Sequence, residues 1–446
     1  MASAAEQLAA SINWSSFSKA DELKKRIWFT LGALIIYRLG TYVPMPGINP
    51  QAYADAFNGQ SQGILGLFNM FSGGAVGRMA IFALAIMPYI SASIIVQLLT
   101  TVVPQLEALK KEGEAGRKIM NQYTRYLTVV LATAQAWGIA IGLEGGQHIV
   151  TDPGWFFRLS TTITLVGGTM FLLWLGEQIT SRGIGNGTSL IIQAGIVAEF
   201  PTHVGQMFDL ARTGGMSPVS LLMTVVVAVV VVLAIVFFER AQRRLLIQYP
   251  KRQVGNRVYE GQSSHLPLKL NTSGVIPPIF ASSLLLLPTT AATFAAQGNP
   301  NSWLNNIAIY LGHGKPLFML LYGVLIVFFT FFYTAIVFNP TETADNLKKH
   351  GGFIPGIRPG DNTAKFIDYV LTRITVVGAV YIALVCLVPE VQNYLIPSIP
   401  FVLGGTSLLI TVSVAMDTLA QIHGHLLAHQ YEGLVRKTKL KGSRRG

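Results

Sequence analysis

The sequence predicts an all-α integral membrane protein with ten transmembrane helices. Of its 446 residues, 51% are hydrophobic and only 12% are charged, whereas about 25% of the residues in a soluble domain are charged. A bilayer core needs roughly 20 apolar residues per helix. Ten such runs lie near residues 27–43, 79–103, 124–143, 157–180, 188–210, 219–239, 272–295, 317–338, 367–388 and 404–428.

The basic residues predict the orientation of these spans. Twenty-seven lysines and arginines lie in the amino-terminal arm, in the loops after even-numbered spans and in the tail, and only five lie in the opposite loops and at their edges. Lysine and arginine accumulate on the cytoplasmic side of membrane proteins. We therefore expect both termini in the cytoplasm, as an even number of spans requires.

Ten spans divide into two halves of five, separated by the long loop 241–270. Because five is odd, two matching halves would lie upside-down to each other in the membrane. The expected organisation is a cytoplasmic arm, a first half, a second half with two basic cytoplasmic loops, and a basic tail. Their ranges are 1–26, 27–210, 211–428 with loops 241–270 and 339–366, and 429–446.

A short apolar segment precedes the second span. Residues 63–71 (GILGLFNMF) are too few to cross a membrane, and Ser72-Gly73-Gly74 separates them from the apolar run that begins at Met79. A short segment interrupted by glycine beside a full span points to a pore or a binding site. A helix lying on the outer membrane surface is the other interpretation, and the pattern itself leaves both open.

The sequence contains no recognisable active site, so we expect neither an enzyme nor a cofactor. There is no phosphate-binding GxxxxGK[ST] motif, and the one cysteine, Cys386, allows no disulfide within the chain. His425 and His429 have metal-ligand spacing, with His423 nearby, but no second kind of ligand lies close before Glu432. We therefore expect no metal site.

Three charged residues lie in or near the spans. Such charges raise a functional hypothesis, here a proton relay, although placement near the ends of the helices is the simpler interpretation. They are Glu177, Arg373 and Asp417.

Several longer motifs, taken together, resemble the SecY family, whose members form the central pore of the Sec protein translocon. The motifs occur in the expected order between residue 25 and about residue 430. They are FNMFSGGA (68–75), IMPYISASIIVQLL (86–99), RGIGNGTSLII (182–192), AQRRLLIQYPKRQ (241–253), SHLPLKLNTSGVIPPIFASS (264–283), FIPGIRPG (353–360) and GGTSLLI (404–410).

This resemblance implies an hourglass pore between the two inverted halves, closed by a ring of apolar side chains and by a plug helix. The matching ring positions are Ile86, Ile90, Thr188, Ile192, Ile279 and Ile410, and the matching plug positions are Gly63, Ile64, Leu65, Leu67, Phe68, Met70 and Phe71. The i,i+4 spacing of the first two ring pairs puts each pair on one helix face. Thr188 departs from the usual aliphatic pattern, because a hydroxyl replaces a methyl group and can hold a water.

The resemblance also implies a lateral gate and a docking surface. The gate lies between spans 2 and 7, with span 3 alongside, and matches Ser91, Gln135 and Asn271. The docking surface lies on the basic loops and matches Arg243, Arg244, Lys251, Arg252, Arg257 and Arg358. Simple enforcement of topology is the alternative interpretation of these charges.

The expected function is therefore a protein-conducting channel that translocates unfolded secretory polypeptides and releases transmembrane segments sideways into lipid. The implied partners are SecE and SecG as small membrane subunits, the motor ATPase SecA, the ribosome and signal-recognition pathway, signal peptides, nascent chains and membrane lipid. The bacterial inner membrane is the expected location. An inverted-repeat secondary transporter of a small solute is the alternative, and it would need clustered polar residues at the midplane.

Overall fold

The structure is a computed structural model that describes residues 21–58, 69–145, 149–249, 252–254, 257–259, 263–285, 315–395 and 404–442. The chain divides into two compact units. The first unit is Met1–Pro201 with Val414–Gly446, and the second unit is Thr202–Ser413.

Helices dominate both units. In chain order they are α1 (Asp21–Gly40), α2 (Pro50–Asn58), α3 (Met87–Val102), α4 (Pro104–Lys111), α5 (Glu114–Glu144), α6 (Trp155–Arg182), α7 (Gly187–Arg212), α8 (Pro218–Arg240), α9 (Ile276–Leu285), α10 (Pro316–Val337), α11 (Pro340–Lys349), α12 (Asp361–Leu395) and α13 (Gly405–Gly442). Four strands, β1 (Gln242–Gln248), β2 (Arg252–Val254), β3 (Arg257–Tyr259) and β4 (Ser263–Lys269), lie between α8 and α9.

Each of the ten predicted spans overlaps a helix. Within the described residues, six helices are long and apolar enough to cross a membrane: α5, α6, α8, α10 with α11, α12 and α13. Helices α3 and α4 add a seventh span if this pair, which is bent by 104°, is counted as one. The seventh predicted span coincides with α9, and its last part lies outside the described residues. Helices α1 and α7 coincide with the first and fifth predicted spans.

The second span begins later than predicted. Helix α3 starts at Met87 rather than at Met79, and the apolar residues before it form a buried series of turns. Its backbone bonds to a neighbouring segment, since Met45 N–H donates to the Met79 carbonyl at 3.1 Å and Ile81 N–H donates to the Val43 carbonyl at 3.1 Å. An apolar run therefore indicated burial against protein here, not a helix in lipid.

Small residues line the buried face of α5. Thr128, Ala132, Ala136 and Ala140 recur at every fourth position and are all buried, and α5 packs on α3 and α6. Small side chains let membrane helices approach closely. The Thr128 hydroxyl donates to the Thr124 carbonyl at 2.7 Å, so this polar group stays within its own helix. Close helix packing in the first unit therefore needs no polar bonds between helices along this face.

The predicted loop 241–270 contains an antiparallel hairpin. Strands β1 and β4 pair from Gln242 with Lys269 to Gln248 with Ser263, and β2 pairs with β3 nearer the tip. Side chains alternate between the two faces of a strand, and one face of this hairpin buries Leu245 and Leu268 against Ile354 and Ile367. A bridge between Gln248 and Phe353 connects the hairpin to the segment after α11. The two long basic loops therefore form one packed body within the second unit.

We predict that Gly168→Ala destabilises the protein while Gly167→Ala does not. A Cβ atom at Gly168 would collide with the carbonyl oxygen of Ile81, whereas a Cβ atom at Gly167 would meet nothing within 4 Å. Overpacking against backbone costs about 1–3 kcal/mol, and alanine favours a helix over glycine by about 1 kcal/mol. The unfolding midpoint of the purified protein in detergent should fall for the first variant only. Equal midpoints would contradict the close contact between α6 and the turns before α3.

Candidate functional site

The ring positions of the first unit lie at the starts of two helices. Ile86 is the last residue of the buried turns and is fully buried, and its carbonyl accepts the Ile90 N–H at 3.1 Å in the first turn of α3. Thr188 and Ile192 lie in the first two turns of α7, where Thr188 is half-buried and Ile192 is buried. In each pair the two side chains share one helix face.

The hydroxyl of Thr188 is engaged in a local hydrogen bond. It donates to Asn186 Oδ1 at 2.7 Å, and the Thr188 N–H donates to the same oxygen at 3.2 Å. A side-chain oxygen that accepts backbone N–H groups at a helix start is an N-terminal cap. The hydroxyl therefore helps to fix the start of α7, and it is directed to a protein acceptor.

The two ring positions of the second unit are buried isoleucines. Ile279 lies in α9 just after Pro277 and Pro278, and its carbonyl accepts the Ser282 hydroxyl at 2.9 Å. Ile410 lies in the second turn of α13 and is only 1% exposed. Five of the six ring positions are thus isoleucine, and each of α3, α7, α9 and α13 carries at least one of these isoleucines.

The gate positions differ in how their polar groups are satisfied. Ser91 is half-buried on α3, and Gln135 lies on α5, which packs on α3. Among the described residues, Gln135 Oε1 has no hydrogen-bond partner although it is buried. A buried polar atom without a partner is costly. Through this oxygen Gln135 therefore adds no hydrogen bond to the packing of α5 on α3.

Asn271 is bonded on both sides of its amide. Its Nδ2 donates to Glu239 Oε1 at 2.6 Å and to the Gly274 carbonyl at 3.1 Å, and its Oδ1 accepts the Ser273 hydroxyl at 3.1 Å. Glu239 lies in the last turn of α8. The side chain therefore ties the end of α8 to the segment that leads into α9.

Most of the predicted plug lies outside the described residues. This applies to Gly63, Ile64, Leu65, Leu67 and Phe68. The remaining two positions, Met70 and Phe71, are buried in a helical turn.

The chain after these plug positions is strongly bonded. Asn69 Oδ1 accepts the Gly77 N–H at 2.6 Å, and the Ser72 hydroxyl accepts the Val76 N–H at 3.2 Å. These bonds satisfy donors of the non-helical stretch that begins at Ser72.

The predicted docking arginines project from the packed body of the basic loops. Arg243 and Arg244 are exposed on β1, and Arg358 is exposed before α12. The backbones of Arg252 and Arg257 lie in β2 and β3, and Lys251 lies outside the described residues. The hairpin and the second loop therefore bring these separate basic sites into a single structural element.

The charged residues considered for a proton relay do not form one. Glu177 is ion-paired with Arg125 of α5, which donates to Glu177 Oε1 from Nε at 3.0 Å and from Nη2 at 2.6 Å. Arg373 stacks over the ring of Tyr369 at 4.3 Å, and Asp417 is exposed. These contacts fit ion pairing and surface placement.

No group of three potential metal ligands comes together in the part of the chain that the structure describes. That part includes His423 and His425, whereas the side chain of His429 lies outside it.

Sequence reasoning missed Glu199. This carboxylate is buried in α7, and it lies 3.7 Å from Arg38 Nη2 and 3.5 Å from Arg78 Nη2. An acidic residue within an apolar span is a signal for a functional contact, and the two arginines are among the few basic residues outside the segments predicted to be cytoplasmic.

Comparisons with known proteins agree on one family. The family model described as SecY matches residues 80–419. The protein translocase subunit SecY of Rickettsia typhi (strain ATCC VR-144 / Wilmington) is 55% identical over 434 residues, which cover 96% of this chain and 99% of the relative.

Solved structures share the fold at low sequence identity. A SecY structure whose plug domain stabilises the closed state of the channel and maintains a membrane seal has a TM-score of 0.66 at 18% identity, covering 90% of this chain and 92% of that chain. Sec61 in the canine ribosome-channel complex from the endoplasmic reticulum has a TM-score of 0.62 at 17% identity, with the same coverage.

We predict that Asn271→Asp destabilises the protein more than Asn271→Ala. The alanine variant loses hydrogen bonds, one of them to the Glu239 carboxylate, which costs about 1.5–3 kcal/mol. The aspartate variant places a second negative charge beside Glu239, so repulsion is added to that loss. Unfolding midpoints in detergent at neutral pH should be highest for the parent, lower for the alanine variant and lowest for the aspartate variant. A midpoint of the aspartate variant at or above that of the alanine variant would contradict the contact with an ionised Glu239.

Proposed function

This chain belongs to the SecY family of protein translocase subunits, and we propose that six of its side chains form the constriction through which polypeptide passes. It is a multi-pass membrane protein of a family of translocation-channel subunits, not of enzymes. The constriction, called the collar below, consists of Ile86, Ile90, Thr188, Ile192, Ile279 and Ile410.

The observation that carries this proposal is the apolar character of the collar positions at or just before the starts of their helices, where Ile86, Ile192, Ile279 and Ile410 are buried and Ile90 and Thr188 are half-buried. A narrow apolar collar excludes water and ions by dewetting. Isoleucine makes no directional bonds, so a passing chain is not held at the collar. Since the Thr188 hydroxyl donates to Asn186, its methyl group is the part left to act with the isoleucines.

The apolar collar also argues against a small-solute transporter. Such a protein binds its substrate and coupling ion through polar groups near the midplane, and the collar positions supply none beyond Thr188. Family membership favours the channel independently.

The lateral gate is assigned to Ser91, Gln135 and Asn271. Hydrogen bonds between membrane helices contribute only about 0.6–2 kcal/mol each, so a seam of this kind holds at rest and opens when an apolar segment arrives. The unpartnered Gln135 oxygen supports a weakly held seam on the α3–α5 side. A signal peptide, with its apolar core of roughly 7–15 residues, would leave through this seam into lipid.

The plug is assigned to residues 63–71, by similarity to the SecY structure with a sealing plug domain. Its described residues are Asn69, Met70 and Phe71, and the burial of Met70 and Phe71 supports a resting position against protein.

The partners and the membrane follow from the family and the charge distribution. The exposed Arg243, Arg244 and Arg358 suit the phosphate backbone of ribosomal RNA, and the fold is shared with Sec61 in a ribosome-channel complex. We assign the same surface, together with Lys251, Arg252 and Arg257, to the binding of SecA as well. SecE and SecG are the proposed small membrane subunits of the complex. The excess of basic residues in one set of loops supports cytoplasmic termini in a bacterial inner membrane.

We predict that a stalled precursor can be crosslinked to the collar. In a Cys386→Ser background, Ile279→Cys should form a disulfide with a single cysteine in a secretory precursor jammed halfway through export. The adduct should require the precursor's signal sequence, because only a threaded chain reaches the collar. Phe328→Cys is the control, since Phe328 is exposed on the apolar helix α10. Absence of an adduct at Ile279, Ile90 and Ile410 with the precursor engaged would mean that these residues are ordinary helix packing.

We predict that the double variant Arg243→Glu, Arg244→Glu binds ribosomes about tenfold more weakly. Both side chains are exposed on β1, so the hairpin should still fold. Each lost phosphate contact should reduce the slope of log affinity against log salt by about one. Sedimentation with ribosomes over a series of salt concentrations measures both effects, and Arg212→Glu, at the end of α7, is the matched control. A salt slope equal to that of the parent would remove the hairpin from the docking surface.

A further inference from the structure

A buried carboxylate holds two arginines beside the turns that lead into α3. Glu199 lies on α7 and is only 7% exposed. Arg38 comes from the last turn of α1, and Arg78 comes from the non-helical stretch itself. Their Nη2 atoms lie 3.7 and 3.5 Å from the same Glu199 oxygen.

Both arginines also bind one backbone carbonyl. Arg38 Nη1 donates to the Gly73 oxygen at 2.6 Å, and Arg78 Nη2 donates to it at 2.8 Å. Both guanidinium groups also lie over the ring of Tyr42, at 4.9 and 4.3 Å from its centroid. An arginine presents several donors in a fixed planar fork, which allows each one to contact the carboxylate and the carbonyl together.

The surfaces that meet at this point are shaped by glycines. Gly73 and Gly74 have φ angles of 65° and 81°, a conformation that glycine adopts without strain. A Cβ atom at Gly74 would collide with Glu199 Oε1, and a Cβ atom at Gly195 would lie 3.0 Å from the Phe71 carbonyl oxygen. Gly195 precedes Glu199 by one helical turn. Gly195 therefore lets the turn approach α7 closely, and Glu199, one helical turn later, binds the arginines that hold the turn.

We propose that Arg38, Arg78 and Glu199 form a clamp that positions the two collar-bearing elements of the first unit against each other. The clamped stretch continues into Ile86 and Ile90, and the clamping helix α7 carries Thr188 and Ile192. Because α7 is bound by ionic contacts and the stretch is bound by its Gly73 carbonyl, the clamp sets the distance between these pairs in the resting channel. This inference rests on the collar assignment proposed above, and the clamp residues act as positioning residues.

The chain offers a matched control for a charge change at Glu199. Glu144 accepts from Arg158 Nε at 2.8 Å and from the Gly154 N–H at 3.0 Å, at the ends of α5 and α6 in the same unit. Its side chain is 10% exposed and that of Glu199 is 9% exposed. Neither α5 nor α6 carries a collar residue. The two glutamates thus differ mainly in whether their contacts join collar-bearing elements.

The test measures ion leak through the resting channel in sealed vesicles without precursor. Glu199→Gln keeps the size of the side chain and removes its charge, and we expect it to raise the leak at least threefold. Arg78→Lys, which keeps the charge and loses the planar fork, should raise it less. Glu144→Gln should leave the leak equal to that of the parent. Unfolding midpoints measured in parallel show how much each variant loses in stability alone.

The outcomes separate the clamp from the collar. Ile192→Ala opens the collar directly and serves as the positive control. If Ile192→Ala leaks and Glu199→Gln does not, the clamp is overturned and the collar stands. An equal rise for Glu144→Gln also overturns the clamp, because general destabilisation would then explain the leak. If Ile192→Ala itself does not leak, the collar assignment fails and the clamp inference fails with it.

Discussion

Satisfaction of backbone polar groups without water is the constraint on which this structure depends. In hydrocarbon an unpaired N–H or C=O group is costly, so spanning segments are helical and irregular backbone must be buried against protein. The turns before α3 obey this rule. Met45 and Ile81 donate to carbonyls across that contact, and the Gly73 carbonyl accepts from two arginines. An irregular segment can thus lead into α3 while protein groups satisfy its backbone.

The same constraint explains how polar side chains are distributed along the helices. Thr128, Thr330 and Thr334 are buried, and each hydroxyl donates to the carbonyl four residues earlier. Large apolar side chains face outward instead, including Phe156 on α6 and Leu233 on α8. Since lipid solvates these outer faces, burial inside the protein is reserved for close packing and for ionic contacts such as that of Glu199.

Bilayer thickness made the spans predictable, because each needs a long apolar run. The start of α3 at Met87 was not predictable in this way, since hydropathy does not distinguish burial in lipid from burial in protein. In the β1–β4 hairpin burial alternates at Leu245 and Ile247, but the sequence does not show this period of two because the exposed Leu246 between them is also apolar. The proposed collar residues came from motif similarity, and four of the six are buried. The contacts of Glu199 join residues far apart in sequence, so spacing along the chain gave no indication of them.

The bridge between Gln248 and Phe353 has a mechanical consequence. The hairpin continues directly from α8, and the segment it pairs with leads into α12. The end of α8 and the start of α12 are therefore connected to the same packed body. Leu245 and Leu268 pack on Ile354 and Ile367 and resist sliding at that joint. A load applied to either basic loop from the outside is therefore shared by two helices of the second unit. A force that a partner exerts on the hairpin is thus transmitted to α8 and α12 together.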